Sequence, residues 1–363
     1  MSPHTCSGGP AASQVGNFRF ENGCNTLAIR FNSVSGAAWT HPVQRFGGGL
    51  IWWLTARLVK IWGACDCYTT LIPVLIQNML PSPRVAICAI VRDEARYIRE
   101  WIAFHLLQGI SQILIYDEGS CDDTKKIISD AAKRANVGWV DWSGKGGAFD
   151  TIQRQAYEDG AFRLTGNADF VAFIDADEFL YCHDGRPLPA ELATFSAQTS
   201  AVAVNQRLFG SSGLKTYKPD YVTSRFTRCT RPDNLSNRWY KTVARPERIS
   251  EIETVHSVNL RAGDYVLNDH QPFEKNPKHP GSADRIGAGK LLLNHYMLKS
   301  FEEYGWKQAR GRSRGLGGRY DDAFFTSRDS DDWANAVVNE RLKAYAPSIA
   351  DMIVKLWLSD LFT

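Results

Sequence analysis

"VAFIDADEFL", residues 171–180, runs through apolar residues into Asp175, Asp177 and Glu178 and then turns apolar again. Such a run reads as a buried strand that ends in an acidic turn, because strands covered on both faces are near-continuously apolar. The same texture recurs upstream. "RVAICAIV" (84–91) is a buried strand, and "EARYIREWIAFHLLQG" after it carries a helical stripe at Ile98, Trp101, Ile102, His105 and Leu106 that Gly109 closes. "QILIYDEGSCDDT" (112–124) repeats strand and acidic turn ahead of the helical "DTKKIISDAAKRA", and "VGWVDW" is a further strand, with the helical "DTIQRQAYEDGAFRL" between it and the opening stretch. Strands alternating with helices predict an α/β fold: a doubly wound, mostly parallel sheet with helices on both faces and ligands beyond the carboxyl ends of the strands. Three acidic turns fall at such ends: Arg92-Asp93-Glu94, Asp117-Glu118 and Asp175-Ala176-Asp177.

Two carboxylates one residue apart at a strand end can face a common cavity, where Mn²⁺ or Mg²⁺ would collect their oxygens and bridge to a diphosphate. The alternative is an acidic turn at the N-terminus of a following helix, stabilised by the helix dipole. D-x-D alone does not decide between them.

Composition narrows the function classes. The chain has 363 residues, 44% hydrophobic and 22% charged, which suits one large core or two modest ones and excludes a disordered chain. Forty-two basic residues against 39 acidic ones give a net charge of +3, too balanced for nucleic acid to be a partner by bulk electrostatics. Eight scattered cysteines fit reduced thiols and a cytoplasmic enzyme, and Cys65-Asp66-Cys67 has no second Cys or His pair nearby to make a zinc site.

The texture divides the chain into four. Residues 1–49 are rich in Gly, Ser and Asn without sustained periodicity and are expected to be loosely ordered. Residues 50–80 form a Trp-rich apolar helical segment; Arg57, Lys60 and Asp66 interrupt it, so no charge-free run of about 18 residues remains to span a bilayer. It either docks on the catalytic core, the favoured reading, or lies in a membrane interface with Trp52, Trp53 and Trp62 in lipid, a peripheral contact through residues 50–62 at the inner membrane. Residues 81–320 form the catalytic domain, and 321–363 a C-terminal helical segment.

Several blocks carry a resemblance. "AIVRDEARYIREWIAFHLLQGISQILIYDEGSCDDT", "FVAFIDADEFL", "NQRLFGSSG", "KTVARPE", "ETVHSVNL" and "LNHYMLKSFEEYGWKQARG" stand in the order found in glycosyltransferase family 92 and its bacterial glycosyltransferase-2-like relatives, which the chain resembles over roughly residues 84–315. The resemblance implies a GT-A-like fold, a divalent cation, a nucleotide-sugar donor (a UDP-sugar first), a glycan or lipid-linked acceptor, and inversion. By it, Asp175 and Asp177 take the place of the metal-binding D-x-D pair, and His295 of the N-H-Y block completes the metal shell or contacts the diphosphate. Glu94, Asp117 and Arg92 match nucleotide-contacting positions. Asp93 and Glu118 depart from the family's amides, and a carboxylate cannot donate the amide's hydrogen bonds, which bears on the donor base.

Lys299, with Lys307 and Arg310 in a stretch free of acidic residues from Tyr304 to Arg319, suits a departing diphosphate, or is a solvated basic face. Glu302 and Glu303, in the family's K-S-x-E-E block, are the first candidates for catalytic base, with Asp233 a distant third; both glutamates equally suit the first turn of a helix. His256 is a weaker metal candidate, and "NQRLFGSSG", with Arg207, Gly210 and Gly213, reads as an acceptor-pocket loop or an ordinary turn. Two other function classes use the same features: a nucleotidyltransferase or sugar-nucleotide hydrolase, and a non-catalytic protein that binds glycans or sugar nucleotides.

Overall fold

A computed structural model describes residues 82–279, 281–310 and 321–358, together with the backbone of three strands nearer the N-terminus. The chain divides into two compact units, Met1–Leu80 and Pro81–Thr363. In the first, Phe18–Gly23, Thr26–Asn32 and Ala38–Gln44 pair antiparallel in that order, inside the stretch for which the sequence predicts loose order. The Trp-rich segment 50–80 lies outside the described residues. No helix among the described residues is long and apolar enough to cross a membrane.

The second unit is built on a nine-stranded sheet. In chain order its strands are β1 (Val85–Val91), β2 (Gln112–Asp117), β3 (Val137–Asp141), β4 (Phe170–Phe173), β5 (Glu178–Cys182), β6 (Thr199–Leu208), β7 (Tyr240–Ala244), β8 (Asp264–Leu267) and β9 (Leu291–His295). Across the sheet they run β3-β2-β1-β4-β7-β6-β9-β5, with β8 paired to the first half of β6. The four strands β3, β2, β1 and β4 are mutually parallel; β7 is antiparallel to both neighbours; β9 is parallel to β6 and antiparallel to β5.

Side-chain alternation along a strand sends neighbours to opposite faces, and both faces of β1 are covered. Ile87 and Ala89 pack with Ile98, Trp101 and Phe104 of helix α1 (Ile98–Leu107) and with Ile127 and Ile128 of α2 (Thr124–Ala132). Ala86 and Cys88 pack with Ile152, Ala156, Tyr157 and Leu164 of α3 (Phe149–Leu164). The arrangement is the doubly wound, mostly parallel sheet with helices on both faces that the sequence predicts.

The approach of α3 to β1 depends on Gly160, where a Cβ would lie 2.4 Å from Cys88 Sγ. Alanine inside a helix ordinarily gains up to about 1 kcal/mol over glycine, but overpacking a buried contact costs about 1–3 kcal/mol. Gly160→Ala is therefore expected to destabilise the chain, and a raised denaturation midpoint would show that the interface yields.

The D-x-D turn leads into a strand, not into the helix that the dipole reading requires. Glu178 opens β5, so no helix N-terminus stands behind these acids. Helix α1 fixes that strand: Trp101 Nε1 donates to Glu178 O at 2.8 Å, and Leu180 N donates to His105 Nε2 at 3.2 Å. Buried completely, His105 is held neutral, its pKa pushed down to about 3. An apolar-stripe histidine thus positions the strand after the turn.

Candidate active site

The turn from Asp175 to Glu178 separates its three carboxylates. Asp175, 35% exposed, meets donors on both oxygens: Gln153 Nε2 at 2.7 Å and Tyr157 OH at 3.2 Å reach Oδ1, and Lys241 Nζ reaches Oδ2 at 2.9 Å. Burial alone would raise its pKa, but the Lys241 ammonium outweighs that and lowers it. Glu178 turns inward, where Oε2 accepts from Asp175 N at 2.9 Å and lies 3.5 Å from Lys241 Nζ.

Burial pushes the Glu178 carboxyl up to about 7, against the pull of Lys241. A carboxyl with a raised folded pKa holds its proton more tightly when folded. Its stabilising contribution is complete below the unfolded pKa and is lost as pH rises through about 7. Glu178→Gln is expected to be more stable than wild type above about pH 8, by on the order of 1–3 kcal/mol, and equal to it near pH 4. Urea midpoints at the two pH values check this; a variant weaker at both would show that the Lys241 attraction outweighs the burial.

Asp177 faces the other way. Its Oδ2 accepts from Lys307 Nζ at 2.9 Å, and its Oδ1 lies 3.5 Å from His295 Nε2. Although burial opposes it, the Lys307 and His295 charges hold the Asp177 carboxyl well below the usual range. The β9–β5 ladder sets His295 directly opposite Glu178, and Tyr296 N donates to Asp177 O at 2.8 Å, so backbone pairing fixes the distance between the two side chains. His295 Nδ1 donates to Gln206 Oε1 at 2.8 Å, which turns Nε2 toward the Asp177 carboxylate. A carboxylate and an imidazole nitrogen facing each other, with an amide oxygen bonded behind the ring, are a donor pair that a divalent cation takes once Nε2 gives up its proton. Among the described residues no three His, Cys, Asp or Glu side chains converge as a closed metal cage. The donors therefore fit an ion held by one carboxylate and one imidazole, with its other positions left to phosphate and water.

Beside Asp177 opens a cavity of about 170 Å³, lined in part by Glu94, Tyr97, Lys299, Trp306 and Lys307. Lys299 is 8% exposed, its Nζ 4.3 Å from the centre of the Tyr97 ring, and its backbone is left-handed at φ 57°. A left-handed lysine costs about 1 kcal/mol or more, which the surroundings must offset. Burial lowers its pKa, opposed by Glu94 and Asp177.

Other residues that the sequence singles out lie elsewhere or are engaged. Glu303 is not a free base: it forms a buried two-pronged pair with Arg225, at 2.7 and 2.9 Å, and accepts from Ser300 Oγ and from Tyr97 OH. Burial would raise its pKa, but Arg225 and Ser300 hold it down, the wrong direction for a group that must collect a proton. Glu302 is exposed in the first turn of the helix Phe301–Arg310, where Oε2 accepts from Tyr217 N at 2.8 Å. The Arg310 side chain lies outside the described residues. Asp117 is buried, with Oδ1 accepting from Ser120 N at 3.1 Å and from Ser120 Oγ. Arg92 is partly exposed, 3.8 Å from Asp93. His256 is half-buried with Nδ1 donating to Tyr240 O at 2.9 Å, and its pKa is pushed down to about 3, chiefly by loss of solvent. Arg207 donates to Thr230 O at 3.1 Å. The loop after β6 is held from the C-terminal segment: Ser211 donates through N and Oγ to Asp329, and Ser212 N donates to Asn335 Oδ1 at 3.0 Å.

Lys241 is the residue that sequence reading missed. Within "KTVARPE" it is one polar position of a short strand, and only its proximity to Asp175, 66 residues earlier, gives it a role.

The profile of Glycosyltransferase family 92 matches residues 84–279, more than half of the chain. The chain belongs to glycosyltransferase family 92. A family 92 protein of Oryza sativa subsp. japonica is 26% identical over 226 residues, 61% of this chain and 34% of that protein. One of Ricinus communis is 28% identical over 227 residues, 61% of this chain and 36% of that protein. The matched stretch thus spans about a third of the length of these curated relatives. Among solved structures, S. aureus TarS in complex with UDP-GlcNAc is 10% identical, covering 75% of this chain and 81% of that one with a TM-score of 0.33, too low to carry anything about the site. The family 92 match takes in Glu94, Asp117, Asp175, Asp177 and Lys241 and stops before His295, Lys299, Glu303 and Lys307.

Proposed function

We propose that this family 92 chain is a metal-dependent glycosyltransferase that takes a nucleotide-sugar, a UDP-sugar first among them, and moves the sugar with inversion to a glycan or lipid-linked acceptor. The convergence of Asp177, Lys299 and Lys307 on one cavity at the carboxyl ends of the strands, with His295 3.5 Å behind Asp177, supports this reading. Asp177 and His295 would hold Mn²⁺ or Mg²⁺, which when bound draws charge off the leaving diphosphate.

The chain's own residues supply the rest. Lys299, its pKa lowered by burial, gains most from an anion, because a phosphate restores the charge-stabilising partner that solvent no longer provides. Lys307 already balances Asp177 and sits where it can share a diphosphate. Glu94 lines the same cavity and, with Asp117 at the end of β2, is assigned to the nucleoside. Glu302 and Glu303 are not assigned as base, because both are engaged by the Tyr217 amide and by Arg225 respectively.

Calorimetry with UDP and with GDP, each with and without Mn²⁺, tests the proposal. One nucleotide is expected to bind at least about tenfold more tightly with Mn²⁺ than without it. Binding indifferent to Mn²⁺, or no binding of either nucleotide, would sink the reading and leave the fold without this chemistry.

A further inference from the structure

Lys241 stands in β7, a strand with neighbours on both sides, and is 2% exposed. The ladder pairs Val243 with Ala172 and Ala244 with Val171 of β4, so position 241 runs level with Ile174, the residue before Asp175. A buried ammonium is costly unless it is paired and hydrogen-bonded. Here it lies 2.9 Å from Asp175 Oδ2, 3.5 Å from Glu178 Oε2 and 3.5 Å from Val255 O. Burial would lower its pKa, but Asp175 and Glu178 raise it, so the lysine remains charged.

These contacts divide the turn. Three carboxylates within four residues repel one another, and each settles where a cation or donor meets it. Asp175 takes Gln153, Tyr157 and Lys241; Glu178 takes the Asp175 amide and the far side of Lys241; Asp177 goes to Lys307 and His295. Of the three, Asp177 alone lines the cavity. Both oxygens of Asp175 are already met by protein donors, one of them a buried ammonium shared with Glu178, so an ion recruited there would compete with Lys241 for its charge.

We propose that Lys241 is a positioning residue whose ammonium, set between Asp175 and Glu178, holds the turn so that Asp177 faces the cavity, and that Asp175 anchors this lysine instead of ligating the metal. Only the second half rests on the metal and nucleotide reading of the site. Lys241 touches neither substrate nor metal and acts through the backbone of residues 174–178.

The test uses the full chain as Lys241→Met, as the charge-neutral pair Asp175→Asn with Lys241→Gln, and as Asp177→Ala, each checked for a cooperative thermal transition. Hydrogen exchange is followed without ligand in peptides covering residues 174–178 and, as a control, 85–91 in β1. Lys241→Met is expected to speed exchange about tenfold or more in the turn and to leave β1 unchanged, a local loosening that global destabilisation would not produce. The paired variant, in which two amides can hydrogen-bond in place of the ion pair, is expected to keep the turn protected. Unchanged exchange over 174–178 in Lys241→Met, or in the paired variant a loss of protection that spreads equally to β1, overturns the positioning role.

Mn²⁺-dependent binding of UDP gives the second readout. Lys241→Met is expected to weaken it about 10–100-fold, as loss of a residue that orients a metal ligand does, and the paired variant to stay within about threefold of wild type. If the paired variant falls as far as Asp177→Ala, Asp175 is a metal ligand and that half of the proposal fails. If wild type itself binds neither UDP nor GDP with Mn²⁺, the nucleotide reading fails while hydrogen exchange still decides the role of Lys241.

Discussion

Asp177→Ala is expected to lose the Mn²⁺-dependent part of nucleotide binding by about 100-fold or more, while nucleotide binding without metal holds or tightens. The two directions come from one side chain. Its carboxylate is the acidic partner of His295 across 3.5 Å, and with it gone the imidazole alone offers too little to hold a hard cation. The same carboxylate balances Lys307 at 2.9 Å and lowers the cost of burying Lys299, so its removal leaves the cavity more cationic. A bare diphosphate then meets two lysines without a competing charge. Lys307 is 27% exposed and can reach water, so the variant is expected to fold with a Tm near that of wild type. Calorimetric titrations with and without Mn²⁺ separate the two effects. Equal loss in both would assign Asp177 to the nucleotide or to stability and withdraw the metal from this position.

The second large effect concerns stability. Glu303→Ala is expected to cost about 3–5 kcal/mol, because it strands the Arg225 guanidinium inside the protein. The side chains of that pair are 3% and 1% exposed, and the same carboxylate also receives Ser300 and the Tyr97 hydroxyl. Glu302→Ala, one residue away and exposed, is expected to change stability by less than about 0.5 kcal/mol. Urea unfolding of the two variants side by side tests this. A Glu303→Gln protein that keeps its stability but loses sugar transfer would return Glu303 to the role of base.

These two neighbours show where the sequence stops being legible. In "KSFEEYG" both glutamates suit the first turn of a helix, and both do occupy it; which of them turns inward depends on Arg225, 78 residues earlier. Local alternation sufficed for β1, β2, β3 and the helices packed on them, because strand and helix periods are written into consecutive residues. The split of Asp175 from Asp177 was hidden, since D-x-D fixes spacing but not the side from which cations arrive. Lys241 was hidden for a stronger reason: a lysine in a short strand reads as solvent-facing, and its burial makes sense only once the carboxylates of Asp175 and Glu178 are folded against it. "LLLNH" likewise shows an apolar run ending in a histidine, but not that it would enter the sheet between two strands that precede it by more than 80 residues.

That insertion has a consequence for where the chain can be divided. Strand β9 lies between β6 and β5, and the family profile ends at residue 279, before β9 begins. A fragment cut at that boundary would lose more than His295. It would leave β5 with no partner in the sheet and bare the end of β6, presenting open ladders to other copies of itself. The smallest autonomous piece of this protein is therefore set by strand closure and not by the reach of the recognisable sequence, and residues past 279 belong to the fold before they belong to the chemistry.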